Sequence, residues 1–310
     1  MVEVAEKAAE AAWKIKNLED YDQRLERAAR VVDELSRSQE TAALVIYEAA
    51  LMKSGRPREE VRDLVRRFQE TWEDEEELLT IPRVSGIMNV EGDEWFFGDE
   101  SLKTMTGRLL GQFQHRVAQY NYVDEREVLK RWANSHDTRL FIRRRIPETE
   151  PVVGVIPGFG LFLMQYLRVA AGGDTVVLSE ELSTVMGSLG FGEGDEYDTL
   201  ARAENLALHL DLPAPIAGAI LEDIARDGLS RFPEPPETTV ANETEESGEP
   251  SGEEQDQRPS GEDRAARRDT REDPEKGEEP TRVQDPQASD APGTPEERWR
   301  NADSSQGRQG

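Results

Sequence analysis

Apolar side chains recur at three- and four-residue steps through most of the first 231 residues, the spacing of helices that each bury one stripe. Val2 to Lys16 repeats alanine and glutamate around Trp13 and Ile15, which predicts a first amphipathic helix. A second is predicted from Leu18 to Ser36, with Tyr21, Leu25, Ala28, Val32 and Leu35 turned inward. Gln39 to Met52 is apolar on nearly every side, so a third helix is expected to be buried all round and to stop at Gly55. Pro57 opens a fourth, which carries Val61, Leu64, Val65 and Phe68 towards Trp72.

The periodicity lapses from Pro82 to Asp99, which reads as irregular chain. There Trp95-Phe96-Phe97 has the aromatic density of a short strand or of a loop tucked under the core. Those rings are either a base-stacking platform or ordinary loop anchors. Helical spacing resumes from Leu102 to Tyr122, with Leu109, Leu110, Phe113, Val117 and Tyr120 inward, and from Asp124 to Ala133. A link bearing Arg139, Arg143, Arg144 and Arg145 follows. Further helices are predicted over Leu161 to Ala171, Ser179 to Leu189, Asp195 to His209 and Pro213 to Ala225, ending near Gly228.

The chemistry of interest lies in the 146–190 segment, around Ile156-Pro157-Gly158-Phe159-Gly160. Two glycines about one apolar residue let the backbone bend sharply with its amides outward, and the turn opens a helix whose first N–H groups carry positive partial charge. Phosphate suits such an end. Upstream, Thr149 reads as the cap of a short helix from Val152 to Ile156, with Glu150 and Pro151 in its first turn. The alternative is a plain connector between buried helices, with Leu161, Leu163, Met164 and Leu167 as core.

At these residues the chain resembles the helix-hairpin-helix DNA glycosylase superfamily, whose turn has the form Leu/Ile-Pro-Gly-apolar-Gly. Ile146-Pro147-Glu148-Thr149 looks like the family's lead-in, and Phe162, Gln165 and Tyr166 stand where the alkyl-base branch has Trp, Glu and Tyr. The resemblance implies an all-α, multi-helix glycosylase-like bundle and DNA binding through the amides of Gly158, Phe159, Gly160 and Leu161. It also implies lost catalysis. Phe162 replaces the lysine nucleophile of bifunctional members, and Ser179 stands where the aspartate opens the following helix. Met164 replaces a small residue between the hairpin helices. Glu180, one residue on, is the remaining carboxylate for a divergent monofunctional enzyme. Otherwise the chain reads as a non-catalytic DNA-associated protein, or as an interaction module that has lost DNA. Arg143, Arg144 and Arg145 form the densest basic cluster just before the turn, and they either contact neighbouring phosphates or neutralise Glu148, Glu150 and nearby acidic helices.

Charge qualifies this picture. The 310 residues carry a net −27, of which −12 belongs to the stretch from Phe232 to Gly310, with 22 acidic and 10 basic residues. That stretch has only Phe232, Val240, Val283 and Trp299 as larger apolar residues, so it is expected to be a disordered acidic tail, open to unknown protein partners. A net negative chain ordinarily binds DNA poorly. Arginine outweighs the seven lysines, however, and acid excess runs through the whole chain, a composition that resembles proteins of salt-accumulating halophiles. At about 1 M salt the Debye length falls to roughly 3 Å, so short-range amide contacts outweigh bulk charge.

With no cysteine there is no disulfide, thiolate nucleophile or cysteine-held metal. His115, His136 and His209 lack ligand spacing, and the acidic run from Glu73 reads as a solvated cluster, so no metal or other cofactor is expected. The start lacks a signal-peptide pattern and no apolar run spans a bilayer, which leads to the expectation of a cytoplasmic protein without a membrane partner.

Overall fold

The computed structural model describes residues 2–37, 41–74, 77–120, 124–192, 194–228 and 231–235. Among them the chain is all-helical, with no strand. The helices are α1 (Val2–Lys16), α2 (Tyr21–Arg37), α3 (Ala42–Leu51), α4 (Arg58–Trp72), α5 (Ile81–Val90), α6 (Glu100–Tyr120), α7 (Glu125–Ala133), α8 (His136–Arg143), α9 (Leu161–Ala170), α10 (Glu180–Met186), α11 (Glu196–Leu210) and α12 (Ala214–Arg226).

Every residue of α3 is buried, Glu48 included, as its nearly all-apolar run predicts, and α4, α5, α6, α7 and α9 pack around it. Thr41 caps it, and Gly55 ends the 3-10 turn that follows with φ 68°. A second group packs α1 on α11 and α12 on α2, α10 and α11, and α2 also meets α9. Gly218 lets α12 approach the chain before α10: a Cβ there would lie 3.0 Å from Val176 Cγ1.

Several expectations are corrected. Residues 82–90, expected to be irregular, belong to α5, which has Pro82 in its first turn and buries Ile81, Val84 and Met88. Trp95 and Phe96 belong to a 3-10 turn, Asp93–Phe96, closed by Phe97 at φ 54°, not to a strand. The rings serve the core, with Phe96 against Tyr47 and Trp95 edge-on to Phe68. The link before the arginine cluster contains α8, capped by Ser135. Tyr122 and part of the Glu73 run lie outside the described residues, as does the tail from residue 236 onward. Phe232, placed in that tail by its composition, packs against the core.

Burial also takes in charge that amphipathic spacing does not anticipate. Arg24 of α2 is 4% exposed and pairs with Asp20 at 2.8 Å, Asp223 at 2.8 Å and Asp227 at 2.9 Å, tying α2 to α12. Removing one partner of a buried pair leaves the other desolvated and uncompensated, and a buried pair is little screened by salt. Arg24→Ala is expected to lose about 2–4 kcal/mol in denaturant unfolding, in dilute and in molar KCl alike. A loss confined to dilute salt would mean that the pair acts as an exposed one.

Candidate nucleic-acid interface

The approach to the glycine turn is built on one carboxylate. Glu150 is 1% exposed, and its Oε2 accepts N–H groups from Val152 at 3.0 Å, Val153 at 2.6 Å and Gly154 at 3.2 Å. Its Oε1 accepts the Trp132 indole N–H at 3.1 Å. Trp132 is fully buried and stacks edge-on against Phe113 at 5.2 Å. Thr149 does not cap a helix; its hydroxyl donates to the Ile146 carbonyl at 3.0 Å. The predicted helix from Val152 to Ile156 is therefore corrected to a run of turns, because Glu150 takes the amides that would start it. Gly154 is indispensable there, since a Cβ would fall 1.7 Å from the Pro147 carbonyl oxygen.

Beyond this anchor comes the glycine turn. Pro157, Gly158 and Gly160 are exposed, while Phe159 and Leu161 are buried, contrary to their expected place in the interface. The Phe159 amide donates to the Ile156 carbonyl at 3.1 Å. Gly158 has φ 80°, a left-handed conformation that favours glycine. Gly160 caps α9 in an extended conformation, and nothing lies within 4 Å of where its Cβ would be. Its carbonyl accepts the Met164 amide at 3.0 Å, which leaves the first N–H groups of α9 at the turn.

The cation beside the turn is one that sequence spacing did not single out. Lys53 arrives from the end of α3, and its Nζ would lie 2.5 Å from a Cβ on Gly158. It also neighbours Asp99, whose carboxyl is held below the usual range first by hydrogen bonds from Ser101, with a smaller pull from Lys53. Arg143 ends α8 and Arg144 follows it, both exposed. Arg145 instead pairs with Asp195 and Asp198 at the start of α11, the neutralising role among the two foreseen for the cluster.

Ser179 caps α10, accepting the Leu182 amide at 3.1 Å, and Glu180 is an exposed first-turn residue. The carboxylates inside the fold are others. Glu48, 2% exposed, accepts the Tyr166 hydroxyl at 2.6 Å, and Arg58 Nε donates to that hydroxyl at 3.3 Å. Arg62 Nε lies 3.6 Å from Glu48 Oε1. Burial raises the Tyr166 phenol well above its ordinary range. Burial also pushes Glu222 up, against the hydrogen bond with Ser179 and the charge of Arg58. This cluster joins α3, α4, α9, α10 and α12, and no periodic pattern marks it because each element contributes one or two polar positions to an otherwise apolar face.

No group of three or more His, Asp or Glu residues is placed to hold a metal ion among the described residues. No helix among them is long and apolar enough to cross a membrane. Comparison with known protein families, curated proteins and solved structures finds no match.

Glu150→Ala strands two buried amides, the part-buried Gly154 amide and an indole N–H, and is expected to cost about 3 kcal/mol or more in unfolding free energy. A cost under about 1 kcal/mol would show that water replaces the carboxylate. Glu222 gives a pH signature. Its folded pKa is raised, so its contribution to stability is complete below the ordinary carboxylate range and is lost as pH rises through the folded value. Glu222→Gln is therefore expected to melt higher than wild type at neutral pH, with the gap closing towards acid. A gap that widens on acidification would reverse that sign.

Proposed function

We propose that the protein binds the phosphate backbone of duplex DNA through the Gly158–Gly160 turn, as a non-catalytic relative of helix-hairpin-helix glycosylases. The reading is carried by one observation, the exposure of both glycines at the N-terminus of α9 with the Lys53 ammonium beside them. A phosphate there meets backbone N–H groups, the positive end of the helix and a cation together. The recognition is independent of sequence, since nothing in the turn reads base edges.

The reading assigns binding to main-chain groups because the body of the protein is acidic and attracts no polyanion at long range. Screening by molar salt removes most of that repulsion and leaves contacts made at hydrogen-bond distance. No first hairpin helix forms; Glu150 and Gly154 fix the turns that lead into the glycine turn instead. A catalytic role draws no support from Glu180, which stands in solvent on the first turn of α10.

Gly160→Ala is the sharpest probe, because its backbone conformation accepts alanine and the added methyl meets nothing in the protein. Only a ligand approaching the turn would feel it. In molar KCl, fluorescence anisotropy with a short duplex is expected to show roughly 10- to 100-fold weaker binding for Gly160→Ala, the loss of a charge-assisted contact, and unchanged melting. Lys53→Gln is expected to weaken binding in the same direction. Wild-type affinity in Gly160→Ala, or no binding by wild type, would remove the turn from the account.

A further inference from the structure

The outer faces of α5 and α6 differ in charge from the rest of the helical surface. Acids make up 65 of the 310 residues, yet all of α5 and every residue of α6 after Glu100 lack one. The other exposed helices, α1, α2, α4, α7, α8, α10, α11 and α12, each carry acidic side chains. Cations are scarce on α6 as well. Between Ser101 and Gln119 only Arg108 is an exposed side chain of full charge, since Lys103 is part-buried and donates to the Glu91 carbonyl at 2.6 Å.

The two helices lie side by side. The Lys103 bond holds the end of α5 near the start of α6, and just past the end of α6 Glu125 accepts the Ile81 amide at 2.9 Å, so α5 runs back along α6. Their inner faces meet the core through Ile81, Val84 and Met88 of α5 and Leu109 and Phe113 of α6. Gly86 and Val90 of α5, with Gly107, Gly111, His115 and Ala118 of α6, stay outside, and Val90 is 84% exposed. A shallow groove follows α6 past Gly111, Gln114, His115 and Ala118.

Glycine is, after proline, the least favourable residue for a helix interior. None of Gly86, Gly107 and Gly111 has a positive φ, and a Cβ at any of them would meet nothing within 4 Å, so the fold gains nothing from its absence. What the three glycines allow is close approach of a backbone from outside. Duplex DNA does not suit this face, because one exposed arginine supplies too little charge for phosphates. A basic partner is drawn to the acidic faces instead. In a chain of net −27, two copies meet at least cost where neither has an acid to desolvate or repel. Two-fold pairing sets the same neutral stripe against itself. From Ser101 to Gln119 that stripe is about 27 Å long, which places the contact at the small end of specific interfaces and makes the pairing reversible.

We propose that two copies of the chain pair through the α5–α6 face, with Gly86, Gly107 and Gly111 at the contact. The test is sedimentation equilibrium of the full chain in molar KCl without DNA, so its result is independent of the Gly158–Gly160 turn. Wild type is expected to rise with concentration from the 34.9 kDa of one chain towards twice that mass. Gly86→Glu and Gly111→Glu each place an acid where space is open, and each is expected to weaken pairing roughly tenfold or more. In dilute solution both are expected to melt no lower than wild type, since glutamate favours a helix over glycine, so lost pairing is not lost folding. Wild type that stays at 34.9 kDa throughout, or a dimer that both variants leave unchanged, overturns the proposal.

Discussion

A carboxylate surrounded by three backbone amides and an indole N–H, as Glu150 is, resists displacement, because each donor would be left buried and unpaired without it. That contact sets the path of the chain. It ties the 147–154 segment to Trp132 and so to the core around α3 and α6, and it uses up the amides that would otherwise begin a helix at Val152. The chain then has Val155 to Gly160 in which to turn before α9, with Gly158 and Gly160 exposed. One internal carboxylate, held by the protein's own amides, thus leads the chain into an exposed glycine turn a few residues later.

The fold accommodates an unusual amount of charge, and it does so in two ways. Surface acids are spread over the exposed faces, where molar salt screens them. The interior ions are placed individually: Arg24 between α2 and α12, Glu48 with Tyr166 and Arg58, Arg168 with Gln165. These contacts are short and partly desolvated, so they keep their strength in conditions that remove most surface attraction. Two of the three involve α9, which carries Gln165, Tyr166 and Arg168 on buried positions, while Arg24 ties α2 to α12.

Where the hydrophobic period is strong, the fold was readable in advance. The spacing of Val61, Leu64, Val65 and Phe68, the apolar run of α3 and the stop at Gly55 all correspond to what forms. The failures have physical causes. Helix α5 has Pro82 and Gly86 within ten residues, which masks the spacing of Ile81, Val84 and Met88. Thr149 looks like a better cap than Glu150, whose hold on three local amides is joined by a bond from Trp132, eighteen residues away, that spacing does not reveal. At the candidate interface the glycines were legible as a turn, but Lys53 was not, because its approach to Gly158 depends on how α3 packs against α9. For Arg145 the sequence left phosphate contact and neutralisation of nearby acids both open, and only the fold brings Asp195 and Asp198 beside it across about fifty residues of chain.

The division between a closed amide cluster and an open one is measured most directly by residue-resolved amide hydrogen exchange in molar KCl, with and without duplex DNA. The amides of Val152, Val153 and Gly154 are expected to be protected in both conditions, and those of Gly160 to Phe162 to exchange freely alone and slow when DNA is added. Protection of the turn amides without DNA, or no change on its addition, would contradict an open anion site at Gly158–Gly160.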